Sequence, residues 1–207
     1  MAAPITHIVF ANKVFDKYFS GKNKRAFFVG TSFPDIRYYD NLDREKTHFK
    51  TADIKGIVSE NSFLAGLKLH SYLDDKREAF YSSLPGYPFY FEPRHVMDSA
   101  LKFFEDEIFY ERMNNWGEIV GFFDEALPEE KQLGPTEEDV EAWHKLLREY
   151  LSKKPNNLSR KGVLVDIGFH NNFAEQVNIF IKVMRQDEKI IAAVNGFCDK
   201  FEELIRS

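Results

Sequence analysis

The sequence has little cysteine and no long apolar run, and each absence excludes a class of protein. One cysteine, Cys198, in 207 residues leaves no partner for an internal disulfide and no thiolate cluster for zinc. No apolar run approaches the roughly 18 residues that a bilayer-spanning helix needs. The first residues also lack a basic stretch followed by an apolar one, which a secretory signal would show. We therefore expect a soluble cytoplasmic protein without a transmembrane segment.

A basic surplus and several catalytic motifs are also absent. The formal net charge is −5, whereas proteins that bind nucleic acid broadly carry an excess of lysine and arginine, so we expect no broad nucleic-acid binding. The sequence contains no P-loop, GxGxxG or GxSxG motif. No histidine is followed directly by aspartate, which argues against the helical metallohydrolases that place such a pair around two ions.

Apolar residues dominate what is present, and they recur at helical spacing. Hydrophobic residues make up 43% of the chain and include 21 phenylalanines, which is enough for one core and a single domain over residues 1–207. A spacing of three to four residues between apolar positions is typical of amphipathic helices. The sequence therefore predicts an all-α fold of about seven helices, a multi-helix bundle with one or two long loops.

Caps and turn-forming residues locate these helices along the chain. Thr6 is predicted as the N-cap of the first helix. Residues 62–80 give the clearest helical pattern, whereas residues 31–50 indicate a structured loop. Residues 153–162 are predicted as a polar turn, and the run Ala-Phe-Phe-Val at 26–29 is the one segment that resembles a strand.

His70 and Asp74 are the first candidates for chemistry. Four residues apart on a helix, their side chains emerge one turn apart on the same face and can converge on one ion. Imidazole and carboxylate are ordinary ligands of zinc and similar metals. A surface ion pair is the alternative explanation for this spacing, but the surrounding Leu67, Leu69 and Leu73 favour partial burial.

Three further residues could join this pair. Asp35 follows Pro34 in an apolar stretch, where an inward carboxylate needs a partner such as a metal ion. His7 lies in the first helical turn, where the helix dipole disfavours a cationic imidazole and a neutral, ligating one fits better. His48 follows Thr47. Taken singly, each has an alternative role: an Asx-turn or helix cap for Asp35, and a surface or capping histidine for His48.

The order of these residues resembles a known family. Pro-Ile-Thr-His-Ile from residue 4, Gly-x-x-x-Pro-Asp-Ile from residue 30, Thr-His at 47–48 and His-x-x-x-Asp at 70–74 resemble the bacterial zinc-dependent phospholipase C family. The fungal zinc nucleases that cut single-stranded nucleic acid share that fold. The resemblance covers roughly residues 4–100, about half of the chain. It implies a phospholipase C-like helical fold whose long loops carry metal ligands.

The resemblance also implies a metal site and a reaction. The ligands of the first ion would be Asp35, His48, His70 and Asp74. A second ion would be held by His7 and a bridging Asp74, with zinc as the cofactor and other divalent transition metals as alternatives. The implied activity is hydrolysis of a phosphoester, in which a metal-activated hydroxide attacks phosphorus and Asp35 and Asp74 are the catalytic carboxylates.

The chain departs from that family in two places. The family's N-terminal tryptophan, which completes the second site with its amino group and carbonyl, is absent, and six residues precede His7. Unless processing trims the chain, we therefore expect the second ion to be weakly held or missing. The third metal also lacks its ligands. We expect a degenerate third-metal region in which Glu78, Arg94 and Asp98 form an ion cluster, or in which His95 with Glu78 or Asp98 still binds an ion. The alternative is that these residues are ordinary surface charges.

The substrate side of the site is less defined by the sequence. Arg37 and Tyr38 directly follow the Asp35 motif and could bind a phosphate and its organic part, although a tyrosine in such a loop often only packs. His170 could line the cleft from a later helix start, with a helix cap or a core position as the alternative. The acidic balance favours a small phosphoester. A non-catalytic metal-binding domain or pseudoenzyme of the same fold is the alternative, and a closed set of four protein ligands would favour it. The sequence does not indicate the oligomeric state.

Overall fold

The computed structural model describes residues 3–39, 42–50, 53–87 and 93–205. It is 76% helical, and no strand occurs among the described residues, so the all-α prediction is confirmed. The described α-helices, in chain order, are α1 Pro4–Val14, α2 Lys24–Ser32, α3 Arg44–Thr47, α4 Ile54–Val58, α5 Ser62–Ser82, α6 Arg94–Phe109, α7 Trp116–Gly121, α8 Pro128–Gln132, α9 Glu137–Leu151, α10 Asn157–Asp166, α11 Asn171–Met184 and α12 Glu188–Leu204. A π-helix, Phe15–Phe19, and two 3₁₀-helices, Phe33–Tyr38 and Tyr110–Arg112, continue three of them.

The predicted N-cap at Thr6 is wrong, because α1 begins three residues earlier. Ala3 is the N-cap and Pro4 opens the helix, where its missing N–H costs no hydrogen bond. Thr6 is buried instead, and both its amide and its hydroxyl donate to the carboxylate of Asp106 on α6. His7 is therefore the fourth residue of α1, and its position is fixed by the contact of the adjacent Thr6 with α6.

Helices α2 and α5 approach each other closely because each presents a glycine to the backbone of the other. A Cβ on Gly30 would lie 2.1 Å from the carbonyl oxygen of Phe63, and one on Gly66 would lie 2.0 Å from that of Phe27. Any larger residue would push the two helices apart. The strand-like run at 26–29 lies within α2, where the Asn23 side chain caps the helix and every side chain of the run is buried.

Two segments that were predicted as irregular are largely helical. Within residues 31–50, α2 continues to Ser32, the 3₁₀-helix Phe33–Tyr38 follows, and α3 precedes His48. The predicted polar turn at 153–162 is wrong in its second half, because Asn156 caps α10 with its side chain. These short helices explain why the described residues contain more helices than the predicted seven or so.

Phenylalanines supply much of the core. Phe10 of α1 packs against Phe109, Phe197 and Phe201, so α1 is enclosed by α6 and α12. None of the described helices is long and apolar enough to cross a membrane. The same packing surrounds α1 and α5 on several sides, so polar side chains between them are withdrawn from water.

Candidate metal centre

The structure brings the five predicted ligands together from four elements. His7 comes from α1, Asp35 from the 3₁₀-helix Phe33–Tyr38, and His48 from the position directly after α3. His70 and Asp74 both come from α5. None of these side chains is more than 8% exposed. His70 and Asp74 are both buried, so the alternative explanation of their spacing, a surface ion pair, is excluded.

The distances between these side chains leave room for an ion. His7 Nε2 lies 3.4 Å from Asp74 Oδ1, and His70 Nε2 lies 3.7 Å from Asp74 Oδ2. His48 Nε2 lies 3.9 Å from Asp74 Oδ2, and His70 Nε2 lies 4.0 Å from Asp35 Oδ1. Direct N–H···O hydrogen bonds are shorter, at about 2.7–3.2 Å. Two ligands about 2.0–2.2 Å from one tetrahedral zinc are about 3.3–3.6 Å apart, which is close to the separations found here.

The ligand atoms divide into two overlapping groups. His7, His70 and Asp74 form one, and Asp35, His48 and His70 form the other; within each group, the atoms all lie within 4.8 Å of one another. His70 is common to both groups, whereas the resemblance assigns the bridging role to Asp74. Asp74 nevertheless approaches all three imidazoles. The arrangement fits one ion at the centre and offers His7 as the start of a second site.

Outer hydrogen bonds orient two of the imidazoles toward this centre. His70 Nδ1 lies 2.9 Å from the carbonyl oxygen of Thr31, so Nδ1 carries the proton and donates it. His48 Nδ1 lies 3.0 Å from the Thr47 hydroxyl, which itself donates to the Arg44 carbonyl and so accepts from the ring. Both Nε2 atoms therefore keep a free lone pair, which is the state that a metal-ligating histidine requires.

Several buried polar atoms at the centre have no hydrogen-bond partner among the described residues. They are both ring nitrogens of His7, Oδ1 of Asp35, and Nε2 of His48 and of His70. Buried polar atoms in folded proteins are nearly always satisfied, so a cluster of exceptions needs an explanation. Lone pairs from imidazole and carboxylate that converge without donors are explained by a cation, which the donor set therefore fits.

Burial sets the protonation states of these groups. It lowers the pKa of His7, which the neighbouring His70 lowers further, and it also lowers the pKa of His70. Burial likewise lowers the pKa of His48 to about 3, and all three imidazoles are neutral at pH 7. His7 and His70 accordingly stack, with ring centroids 3.7 Å apart and planes 10° from parallel.

The two carboxylates behave differently from each other. Burial raises the pKa of Asp35 to about 6. Burial also acts to raise the pKa of Asp74, but the adjacent His7 and His70 outweigh it and hold that pKa well below its usual value. Both carboxylates are mainly ionised at pH 7, among neutral rings. The Asp35 carboxylate lies among imidazole nitrogens that have no hydrogen-bond partner, and a divalent ion would bind both kinds of group.

The predicted third-metal residues lie at the surface and belong to neither ligand group. Arg94 and Asp98 approach to 3.9 Å, with their side chains 63% and 38% exposed. His95 is exposed and stacks on Phe173, and Glu78 is exposed. A Glu78, Arg94 and Asp98 cluster that replaces an ion stays a prediction.

The predicted substrate residues differ in how close they lie to the centre. Arg37 acts electrostatically on Asp35 and His48, so its guanidinium lies near the ligands. It also stacks over the ring of Tyr38 at 4.8 Å, and Tyr38 lines a cavity beside Asp35. His170 is the exposed N-cap of α11 and does not line this cavity.

Sequence reasoning missed two buried carboxylates, Asp106 and Glu105, and one half-buried lysine, Lys102. Asp106 accepts from the amides of Ile5 and Thr6, from the Thr6 hydroxyl and from the Tyr150 hydroxyl. Its neighbour on α6, Glu105, accepts two hydrogen bonds from Arg77 at 3.0 and 2.8 Å. Lys102 lines the cavity beside Asp35.

A signal for two of these groups was present in the sequence. Glu105 and Asp106 follow Leu101 and Phe103 by four and three residues, so they continue the apolar face of α6. A charge at an apolar position of this kind predicts burial with a partner.

No family model, curated protein or solved structure matches this chain. The function is therefore argued from the site itself. A buried set of neutral imidazoles and ionised carboxylates, open on one side to a cavity, can hold a divalent cation and present it to a small molecule.

Proposed function

We propose that this protein is a metal-dependent hydrolase that cleaves a phosphoester. Zinc is the first candidate for the cofactor, as one or two ions, and other divalent transition metals are alternatives. The carrying observation is the set of unpartnered atoms on Asp35, His48 and His70, together with separations of 3.7–4.0 Å around His70 and Asp74. These separations are too long for hydrogen bonds and suited to ligands of one ion.

Each ligand residue has a definable task in this proposal. A bound divalent ion would lower the pKa of a water molecule and neutralise charge that develops on phosphoryl oxygens. His48 and His70 present lone pairs that Thr47 and the Thr31 carbonyl fix in direction. Asp74 would hold the ion from the centre of the cluster. Asp35 borders the cavity as well as the cluster, so a molecule in that cavity would reach the ion from the side of Asp35.

The phosphoester class follows from the order of the ligands in the chain. His7, Asp35, His48 and the His70–Asp74 pair occur in the order that resembles the bacterial zinc-dependent phospholipases C. The positive groups Arg37 and Lys102, close to the same centre, support an anionic substrate. A small substrate is proposed because the cavity beside Asp35 is about 70 Å³ in volume.

A non-catalytic metal-binding domain is the second candidate function. The observation in its favour is the near-complete burial of the four-residue set Asp35, His48, His70 and Asp74. Four protein ligands on a tetrahedral zinc leave no position for water, and such closed sites are structural. The two functions differ in a measurable way, because only a catalytic centre would have an open metal position at which a small anion could replace water.

The proposal is tested first by metal content. The protein is purified without chelators or metal-affinity tags and analysed for its elements, beside a His70→Ala, Asp74→Ala double variant. We expect one or two equivalents of a divalent transition metal in the wild type and less than a tenth of that in the variant. Absence of metal in the wild type, even after incubation with each ion, would falsify the proposal.

Phosphoester hydrolysis is the second arm of the test. The metal-loaded protein is offered small phosphate mono- and diesters, and the release of phosphate or alcohol is followed. Turnover that disappears with the double variant supports the hydrolase. Full metal content without turnover of any ester favours the non-catalytic domain. The proposal includes a cytoplasmic location, which a single buried cysteine without a disulfide partner favours.

A further inference from the structure

A small cavity adjoins the candidate metal centre and is lined by both polar and apolar residues. Its volume is about 70 Å³. The polar residues of its lining include Asp35, Tyr38, Ser99 and Lys102. The apolar residues include Phe103, Trp143, Val163, Leu164, Ile167 and Phe169. The cavity therefore combines a candidate metal ligand and a lysine with apolar surface.

Lys102 is the cation of this cavity. It lies on α6 and is half-buried, and no hydrogen bond or ion pair joins it to another of the described residues. Arg77 repels the ammonium, and the carboxylates of Asp74, Asp98 and Asp35 attract it. Since Asp74 and Asp35 are candidate ligands, the ammonium lies near the metal centre. The ammonium has no direct hydrogen-bonded partner, and an anion in the cavity would supply one.

The apolar residues of the lining limit what the anion can carry. A sugar or a nucleobase would leave its hydroxyl and amide groups unpaired against Phe103, Val163 and Leu164, which is strongly unfavourable. A short hydrocarbon group would instead be removed from water on entry. The volume is about half of the roughly 150 Å³ that holds a benzene molecule in an engineered cavity, so the group must be short.

We propose that Lys102 is a substrate-binding residue that pairs with the phosphate of a small phosphate ester, whose organic part is a short apolar group held against Phe103, Val163 and Phe169. The inference rests on the proposed metal-dependent hydrolase and names its substrate class. It gives α6 a direct role in substrate binding through Lys102, which lies on the same helix as Glu105.

The experiment measures binding to the metal-loaded protein by calorimetry, with inorganic phosphate and propyl phosphate as the probes. Metal content is measured on every sample. The variants are Lys102→Met, which removes the charge, and Lys102→Arg, which keeps it. Lys182→Met is the matched control, because Lys182 is an exposed lysine on α11 away from the cavity.

We expect Lys102→Met to weaken inorganic phosphate binding at least tenfold with unchanged metal content. Lys102→Arg should restore most of the affinity, and Lys182→Met should bind as the wild type does. Propyl phosphate should bind the wild type at least about tenfold more tightly than inorganic phosphate, since each buried methylene contributes about fourfold. Phe169→Ala, at a partly exposed position, should reduce this preference while inorganic phosphate binding stays the same.

The outcomes separate this inference from the proposal it rests on. If the wild type holds no metal, both fail. If the metal is bound but Lys102→Met binds phosphate as tightly as Lys182→Met does, the role of Lys102 is wrong while the metal centre stands. If propyl phosphate binds no better than inorganic phosphate, the substrate class is wrong.

Discussion

Two buried histidine–carboxylate clusters in this protein show opposite geometry. On α8 and α9, His144 Nε2 lies 2.8 Å from Glu130 Oε1, and the other oxygen of Glu130 accepts from the amide of Leu127. Around α5, the shortest such separation is 3.4 Å, between His7 and Asp74. The fold is therefore able to close a buried imidazole–carboxylate contact, and it leaves the cluster around α5 open.

The difference indicates what each cluster is for. A hydrogen bond of 2.8 Å satisfies both groups, so the His144 and Glu130 pair needs nothing further and stabilises the packing of α8 on α9. At the cluster around α5 the imidazoles are held apart from the carboxylates by backbone and threonine contacts to their other nitrogens. This is the arrangement of a ligand set, in which the closing partner is an ion.

The largest expected difference between the clusters is the response to metal. At a zinc concentration of 1,000 times Kd, binding should stabilise the wild type by about 4 kcal/mol, which corresponds to a rise in Tm of about 8–16 °C. Calorimetric scans with and without zinc measure this rise. The His70→Ala, Asp74→Ala variant should show none. An equal rise in that variant would place the metal elsewhere.

The closed cluster should instead determine stability without metal. His144→Ala leaves the Glu130 carboxylate buried without its imidazole, and we expect a loss of about 3 kcal/mol in the free energy of unfolding. Urea titration measures it. The metal content of this variant should equal that of the wild type, and a loss of metal there would contradict the separation of the two clusters.

Neutralising a carboxylate should have different effects on stability in the two clusters. Burial raises the pKa of Asp35 from 3.8 to about 6, so between these values the metal-free folded state binds more protons than the unfolded state, and stability falls as pH rises. Above about pH 6, metal-free Asp35→Asn should therefore be more stable than the wild type by about 2–3 kcal/mol, and below about pH 4 the two should be equal.

Urea titrations across this pH range, with chelator present, measure the effect of Asp35→Asn. Glu130→Gln is the matched variant in the closed cluster, where the carboxylate already has two partners. It should not be stabilised at any pH. If the free energy of unfolding depended on pH in the same way in the wild type and in Asp35→Asn, Asp35 would not be an uncompensated charge.

The smallest expected effect concerns the hydrogen bond behind His48. Thr47→Val removes the hydroxyl that accepts from Nδ1 of His48, and loss of such an outer contact typically weakens metal affinity by about tenfold or more. Thr47→Ser should restore the affinity. Competition with a chromogenic chelator measures both. Unchanged affinity in Thr47→Val would mean that His48 is not a ligand.

The sequence could predict the parts of the site that depend on local geometry. His70 and Asp74 lie four apart within a clear helical pattern, so their shared face follows from the helix alone. Its predicted span, 62–80, agrees with α5 to within two residues at its end. The prediction of an N-cap at Thr6 is wrong because the position of Thr6 depends on a contact that is distant in sequence. Capping preference favoured the threonine, but Asp106, a hundred residues away, holds its hydroxyl and Pro4 starts the helix.

The sequence by itself determined the helical class of this protein and the identity of the five candidate ligands, because periodicity, residue type and motif order are properties of the chain. Only the tertiary structure decided that these ligands meet. The close contact of Gly30 and Gly66 with the facing helices brings the Thr31 carbonyl to His70, and Asp106 anchors α1 so that His7 stacks on His70. Such contacts join distant segments through shape and burial, which no local pattern encodes, and they also placed Lys102 beside Asp35.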